Sequence, residues 1–295
     1  MYGPLVISYL FLGGASSGAS FVMAFWSLRF HRASNIPTKR AKEAFRSLLG
    51  SCYFTCSIVL ACSLLCLLWD LGSPHKALLL FMSPKPTVMT FGAFSLVALL
   101  LVTLALTCIN YFKILKLSGV GKRVLEVLCC ILSVFAMSYT GFFLMGGNIP
   151  FWNTYALVAL FIFSSFSTGI SLVLLIDYFI QGKFALLDRL RPIQKAHILC
   201  LLLEIVALAL FIMAARSNPH ASSSLALLAK PHMLANLIVG AVGMGIATPL
   251  LLESFSLAFR NPRVIPLSDT ICLIGGLLLR YCVVTCGVHW TGPLA

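Results

Sequence analysis

Charged residues are scarce, at 10% of the 295 residues, against about 25% in soluble globular domains. Acids are scarcer still, with 8 Asp and Glu against 21 Lys and Arg. Between Val127 and Ile176 there is no charged residue at all. With 60% hydrophobic residues, the chain lacks the polar faces of a soluble protein. C-x-x-C spacing is also missing. Among the 11 cysteines, Cys52/Cys56, Cys62/Cys66 and Cys282/Cys286 are spaced i, i+4, and Cys129 adjoins Cys130. Iron–sulfur and zinc sites favour other spacings, so these thiols read as small core hydrophobes and no metal site is expected. Histidine is missing from the middle of every apolar run: His31, His75 and His220 fall in connections, and His197, His232 and His289 fall at run ends. Haem held between membrane helices needs histidines deep in facing spans, so no haem is expected either.

What is present is a set of eight apolar runs, at about 4 to 28, 47 to 69, 87 to 110, 124 to 146, 152 to 180, 196 to 215, 232 to 258 and 270 to 290. Each is close to the roughly 20 residues that cross a bilayer core of about 30 Å. The expected fold is an all-α polytopic membrane protein with eight transmembrane helices, forming one membrane domain over residues 1–295. The first run lacks a basic leader and is too long for a signal-peptide core, so it reads as a retained helix.

The net charge of +13 does not indicate nucleic acid, because the basic residues sit between apolar runs. The connections after spans 1, 3, 5 and 7 carry 16 Lys and Arg, from Arg29 to Arg263, whereas Lys76, Lys85, Arg216 and Lys230 are the four on the other side. By the positive-inside rule both termini lie outside. Trp26, Trp69, Trp152 and Trp290 fall at span ends, where indoles favour the interface. The connection from Asp70 to Pro86 holds Pro74, Pro84 and Pro86 around the short apolar run ALLLFM. It reads as an external interfacial or re-entrant piece.

An internal repeat adds a grouping. YLFLGGASSGASFV from Tyr9 aligns with LFIFSSFSTGISLV from Leu160, sharing an S/T-G-x-S centre. Spans 1 and 5 are therefore expected to be counterparts in two sequential four-helix halves, approximately 1–146 and 147–295. The small residues in both segments read first as close-packing positions between helices.

Ionisable groups at membrane depth are costly unless paired or hydrated, and each is a functional candidate. Asp70 and Tyr139, with Asn153 and the bend around Asn148, form an outer layer. Arg280 lies near the middle of span 8. Glu204, Glu253 and Asp177 lie in the inner half, and with Arg280 they could form a hydrated proton route. Structural alternatives stand beside these: Asp177 reaching the interface or pairing with Lys183, Arg280 in a buried ion pair, Tyr139 in the aromatic belt, and Asp70 capping the connection after it.

Four stretches stand in order along the chain: YLFLGGASSGA from Tyr9; DLGSP from Asp70 with PKPT from Pro84; YTG from Tyr139 through PFWNT to STG at Gly169; and GGLLLRY from Gly275. Together they resemble the NrfD/PsrC family, the quinone-reactive membrane subunits of bacterial respiratory oxidoreductases. The resemblance implies a multi-pass protein of the bacterial cytoplasmic membrane. It implies that menaquinol or a related quinone binds near the outer face, beside an iron–sulfur subunit that serves a molybdopterin catalytic subunit. It associates Tyr139 and Asp70 with the quinone head group and proton transfer and, less directly, Arg280 and Glu204. The asparagine and histidine of the first helix in some members have no counterpart here. Side-chain contacts from span 1 would fall to Ser16 and Ser17, with Asn153 also near the outer layer. A secondary transporter would share the internal repeat, the Gly/Pro-interrupted helix around Gly245 and Pro249, and buried acids, but would centre its site at mid-membrane. A plain anchor without redox role is the third reading.

Overall fold

The computed structural model describes residues 3–32, 39–70, 88–115, 117–147, 149–181, 191–259 and 267–288. Eight helical spans are long and apolar enough to cross a membrane, and the described residues contain no strand. The chain is a polytopic all-α membrane protein. The first six spans are α1 (Pro4–Arg32), α2 (Lys39–Asp70), α3 (Val88–Asn110), α4 (Gly119–Met145), α5 (Tyr155–Gln181) and α6 (Arg191–Ser217). A short α7 (Ser222–Leu228) precedes the seventh span, which is built from α8 (Pro231–Ala235), a π-helical stretch (Asn236–Ala247) and α9 (Thr248–Phe259). The eighth is α10 (Leu267–Thr285).

The π-helix has a cause in the sequence. Pro249 has no N–H to give to the carbonyl four residues earlier, which disturbs the α register on its N-terminal side. There Thr248 instead donates both its backbone N–H and its hydroxyl to the Gly243 carbonyl, five residues back. Widened turns of this kind are rare and gather at functional sites.

Helices α1 to α4 pack in cyclic order, α1 on α2, α2 on α3, α3 on α4 and α4 back on α1. In the second group α5 packs on α6 and α10, the π-helix on α10, and α9 on α6. Helix α1 also lies against α5 and α10, and α4 lies against α5. The α1–α5 crossing depends on glycine: a Cβ at Gly18 would overlap the Ser165 carbonyl, and one at Gly169 would overlap the Gly18 backbone. Gly245 of the π-helix meets Gly275 of α10 in the same way. Small residues let membrane helices approach where burial from water supplies no drive. The outward faces carry large apolar side chains such as Leu101 and Phe91, 62% and 56% exposed, as a lipid-facing surface requires.

Two expectations are corrected. Trp152 is not an interfacial belt residue. It is fully buried, and its Nε1–H donates to the Val283 carbonyl at 2.9 Å. The turn carrying it is folded onto the C-terminal ends of α6 and α10: Phe151 stands edge-on to Phe211 at 5.0 Å between centroids, and Gly287 leaves room for the Trp152 ring. His197 is not at a span end. Helix α6 begins at Arg191, and His197 is completely buried inside the bundle. Asn148, Trp290 and the whole connection 71–87 with its ALLLFM run lie outside the described residues.

Candidate functional site

Two polar regions stand out, one toward the end of the first bundle where α1 begins and α2 and α4 finish, and one inside the second group.

The first region is centred on Tyr139. Its ring lies against Gly92 of α3, where a Cβ would overlap three ring carbons. Phe143, one turn further along α4, is 5.9 Å from the Tyr139 ring and 5.9 Å from that of Tyr9 on α1. The Tyr139 hydroxyl lies beside the Tyr9 side chain without a hydrogen bond of good geometry. A buried hydroxyl in that state costs roughly 1–3 kcal/mol, so such groups usually have a partner, whether protein, water or ligand. Beneath it, Ser63 of α2 donates to the Tyr9 carbonyl at 2.9 Å. Asp70 ends α2, exposed, with its carboxylate beside Gly3 at the start of α1. Asn153 is exposed in the turn between α4 and α5.

Ser16 and Ser17 are buried but lie deeper. Ser16 is seven residues along α1 from Tyr9, about 10 Å at 1.5 Å per residue. Both hydroxyls are used within the helix: Ser16 donates to the Leu12 carbonyl at 2.6 Å and Ser17 to that of Gly13. Of the outer-layer candidates, the structure brings Tyr139 to Tyr9 and sets Asp70 at the same end. It does not gather Ser16 or Ser17 around them.

The inner region is a ladder of hydroxyls on one side of α5. At its upper end lies Arg280, fully buried. It donates to Ser164 Oγ at 3.1 Å, Ser165 Oγ at 2.9 Å and the Gly276 carbonyl at 3.1 Å. Its guanidinium stands 5.7 Å from the centre of the Phe11 ring and 5.4 Å from that of Phe161, within cation–π range. Gly14 exists for this arrangement, because a Cβ there would press on Ser165 Oγ and Arg280 Nη2 at 2.6 and 2.8 Å. No carboxylate forms a salt bridge with Arg280 among the described residues, so the buried ion pair considered from sequence gives way to a cage of hydroxyls, carbonyl and rings.

Glu204 of α6 accepts from Ser167 at 2.7 Å and also interacts with Ser164, so the Ser164 hydroxyl stands between Glu204 and Arg280. One turn beyond Ser167, Ser171 Oγ is 3.3 Å from His197 Nε2. His197 Nδ1 is 2.5 Å from Glu253 Oε1 of α9. Cys272 Sγ of α10 is 3.8 Å from Nε2, and Asp269 completes a buried trio with His197 and Glu253 whose polar atoms lie within 4.8 Å of one another. Arg280, Glu204 and Glu253 thus fall along one polar line. Asp177 does not join it: it is buried beside Cys52 of α2, on a different face of α5. Sequence reasoning missed His197, Asp269 and the serines. The one available signal was periodicity, since Ser164, Ser167, Thr168 and Ser171 share a helical face.

The fold and these two regions define a helical membrane protein that buries polar and ionisable side chains among its spans. The family model described as polysulphide reductase, NrfD, matches residues 1–291, and the chain belongs to that family. It is accordingly a membrane subunit of the quinone-interacting oxidoreductase complexes. No curated protein matches the sequence significantly.

Proposed function

We propose that the protein oxidises menaquinol, or reduces menaquinone, at the outer ends of α1 to α4. Electrons would pass directly to an iron–sulfur subunit that serves a molybdopterin catalytic subunit, at a bacterial cytoplasmic membrane. In this reading the chain holds no haem and no iron–sulfur cluster of its own. The observation that carries it is the buried Tyr139 hydroxyl without a well-formed hydrogen bond, walled by Tyr9, Phe143 and Gly92. It offers a proton donor and acceptor between aromatic rings that suit a quinone head group.

Oxidation of quinol to quinone releases two electrons and two protons. Tyr139 would hydrogen-bond a quinone oxygen and hold its proton in transit, and Asp70, exposed at the same end, would accept protons next to water. Asn153 is a candidate contact at this end, whereas Ser16 and Ser17, about 10 Å deeper along α1 with their hydroxyl protons used inside the helix, would accept only from a head group seated further in. The ladder from Arg280 through Glu204 to His197 and Glu253 would carry protons between mid-membrane and the inner side. The ladder's depth also suits a transporter-like ion path, which in this reading is the proton branch of the same protein.

The test is Tyr139→Phe, which keeps the ring and its packing. Quinol-dependent turnover should fall about 5- to 150-fold, corresponding to roughly 1–3 kcal/mol for the lost bond, while artificial donors feeding the catalytic partner stay unaffected. Normal quinol turnover and affinity in this variant, with quinone binding lost in Asp177→Asn, would move the site inward.

A further inference from the structure

The first turns of α2, the end of α3 and the start of α4 enclose a polar cavity of about 700 Å³, on the side of the basic connections. Arg46, Lys113 and Lys122 face it, with Ser47, Ser51 and Asn110. One acid, Glu43, shares the lining, leaving a formal excess of two positive charges (three minus one). Arg46 and Lys122 are close enough for their charges to interact. Lys122 is 3.9 Å from buried Glu126, whose same oxygen accepts from Ser27 at 2.7 Å. Among the described residues no carboxylate forms a salt bridge with Arg46 or Lys113.

Close backbone packing sets one wall of the cavity. Gly50 sits against the backbone of Asn110 and Tyr111, where a Cβ would come within 3.1–3.2 Å. That close approach fixes the end of α3 against α2. Lys113 follows in a left-handed conformation, φ 55°, which few residues other than glycine adopt without local support.

A second feature points to what enters. Phe54 of α2 stacks on Tyr111 at 4.9 Å, and Phe112 stands edge-on to both rings. Tyr111 and Phe112 are about half exposed, and the exposed apolar residue Ile58 continues the same face of α2 one turn deeper into the membrane, as Leu104 and Leu101 continue that of α3. A cationic cavity at the interface thus opens onto an apolar strip of acyl-chain depth. Basic pockets between membrane helices on this side recognise phosphate headgroups.

We propose that this cavity binds the phosphate of an anionic phospholipid headgroup, held by Arg46, Lys113 and Lys122, with the acyl chains along Phe54, Ile58 and the α3 face. A zwitterionic choline headgroup would bring its own cation toward the excess positive charge and is disfavoured. Free inorganic phosphate shares the headgroup's chemistry but not the apolar strip.

The experiment is native mass spectrometry of the full-length protein in a neutral detergent, titrated separately with phosphatidylglycerol, phosphatidylcholine and inorganic phosphate. Phosphatidylglycerol should bind in preference to phosphatidylcholine, and millimolar inorganic phosphate should not displace it. The Arg46→Gln, Lys113→Gln double variant should weaken phosphatidylglycerol roughly 30-fold, at about fivefold for each basic residue near an anionic group. The Lys113→Gln single variant, at an exposed position, should weaken it about fivefold. Arg123→Gln, exposed beside the cavity but not lining it, should match the unsubstituted protein. Equal binding of the two lipids, or unchanged affinity in both cavity variants, would overturn the proposal. Displacement by inorganic phosphate would assign the cavity to a soluble ligand and overturn the lipid as its occupant.

Discussion

Gly18 of α1 and Gly169 of α5, aligned with each other by the internal repeat, meet backbone to backbone where their helices cross. Equivalent residues that touch lie on or near a local two-fold axis, as in an isologous interface. This supports the proposal that residues 1–146 and 147–295 are related halves, with α1 and α5 as counterparts. The crossing also fixes the neighbouring Gly14 and Ser165, which hold Arg280.

Gly18→Ala would place a methyl on the Ser165 carbonyl, and backbone cannot rotate away as a side chain can. We expect a loss of roughly 1–3 kcal/mol. It would be read as a lower thermal midpoint of the detergent-solubilised protein by fluorescence-detected size exclusion. Gly119→Ala, whose added Cβ meets nothing within 4 Å, should leave the midpoint unchanged.

Gly92→Ala tests the outer site without touching a polar group. The added methyl would fall on the Tyr139 ring and tilt its hydroxyl. Quinol-dependent turnover should drop at least fivefold with assembly retained, since a shift of about 1 Å at a positioned group can cost far more. Turnover equal to that of the unsubstituted protein would detach Tyr139 from quinone chemistry.

Glu204→Gln and His197→Gln break the ladder on either side of Ser167 and Ser171. If protons run along it, turnover should fall roughly 100-fold, on the scale of a lost proton-transfer group, with quinone affinity intact. Asp177→Asn, off the ladder, should leave quinone affinity unchanged. Full turnover and full proton translocation in both ladder variants would leave the ladder a purely structural element.

Orientation is tested in a cysteine-free background. Ser223→Cys, exposed in α7, should react with an impermeant maleimide in intact cells. Gly119→Cys, in open space at the start of α4, should react only after permeabilisation. The reverse pattern would invert the sidedness of both polar regions.

The eight spans were determined by the sequence itself. A bilayer core imposes about 20 apolar residues per crossing, and the runs between clusters of Lys and Arg meet that length one by one. The depth of each candidate group followed directly, because depth is residue count times rise: Arg280 is well inside its span, and Asp70 and Tyr139 are toward the ends of theirs. Only the tertiary structure decided which groups face one another. In a soluble helix a polar stripe marks the outward face, but here lipid and protein interior are both apolar, so hydropathy leaves the rotation of each helix about its axis undetermined. That rotation turns His197 onto Glu253, 56 residues away, and sends Asp177 toward Cys52 instead. It also buries Trp152 against Val283 rather than leaving it at the interface. Gly14 shows the same limit: its small size was legible, but its reason, the guanidinium of Arg280 arriving from the last helix, required the packed bundle.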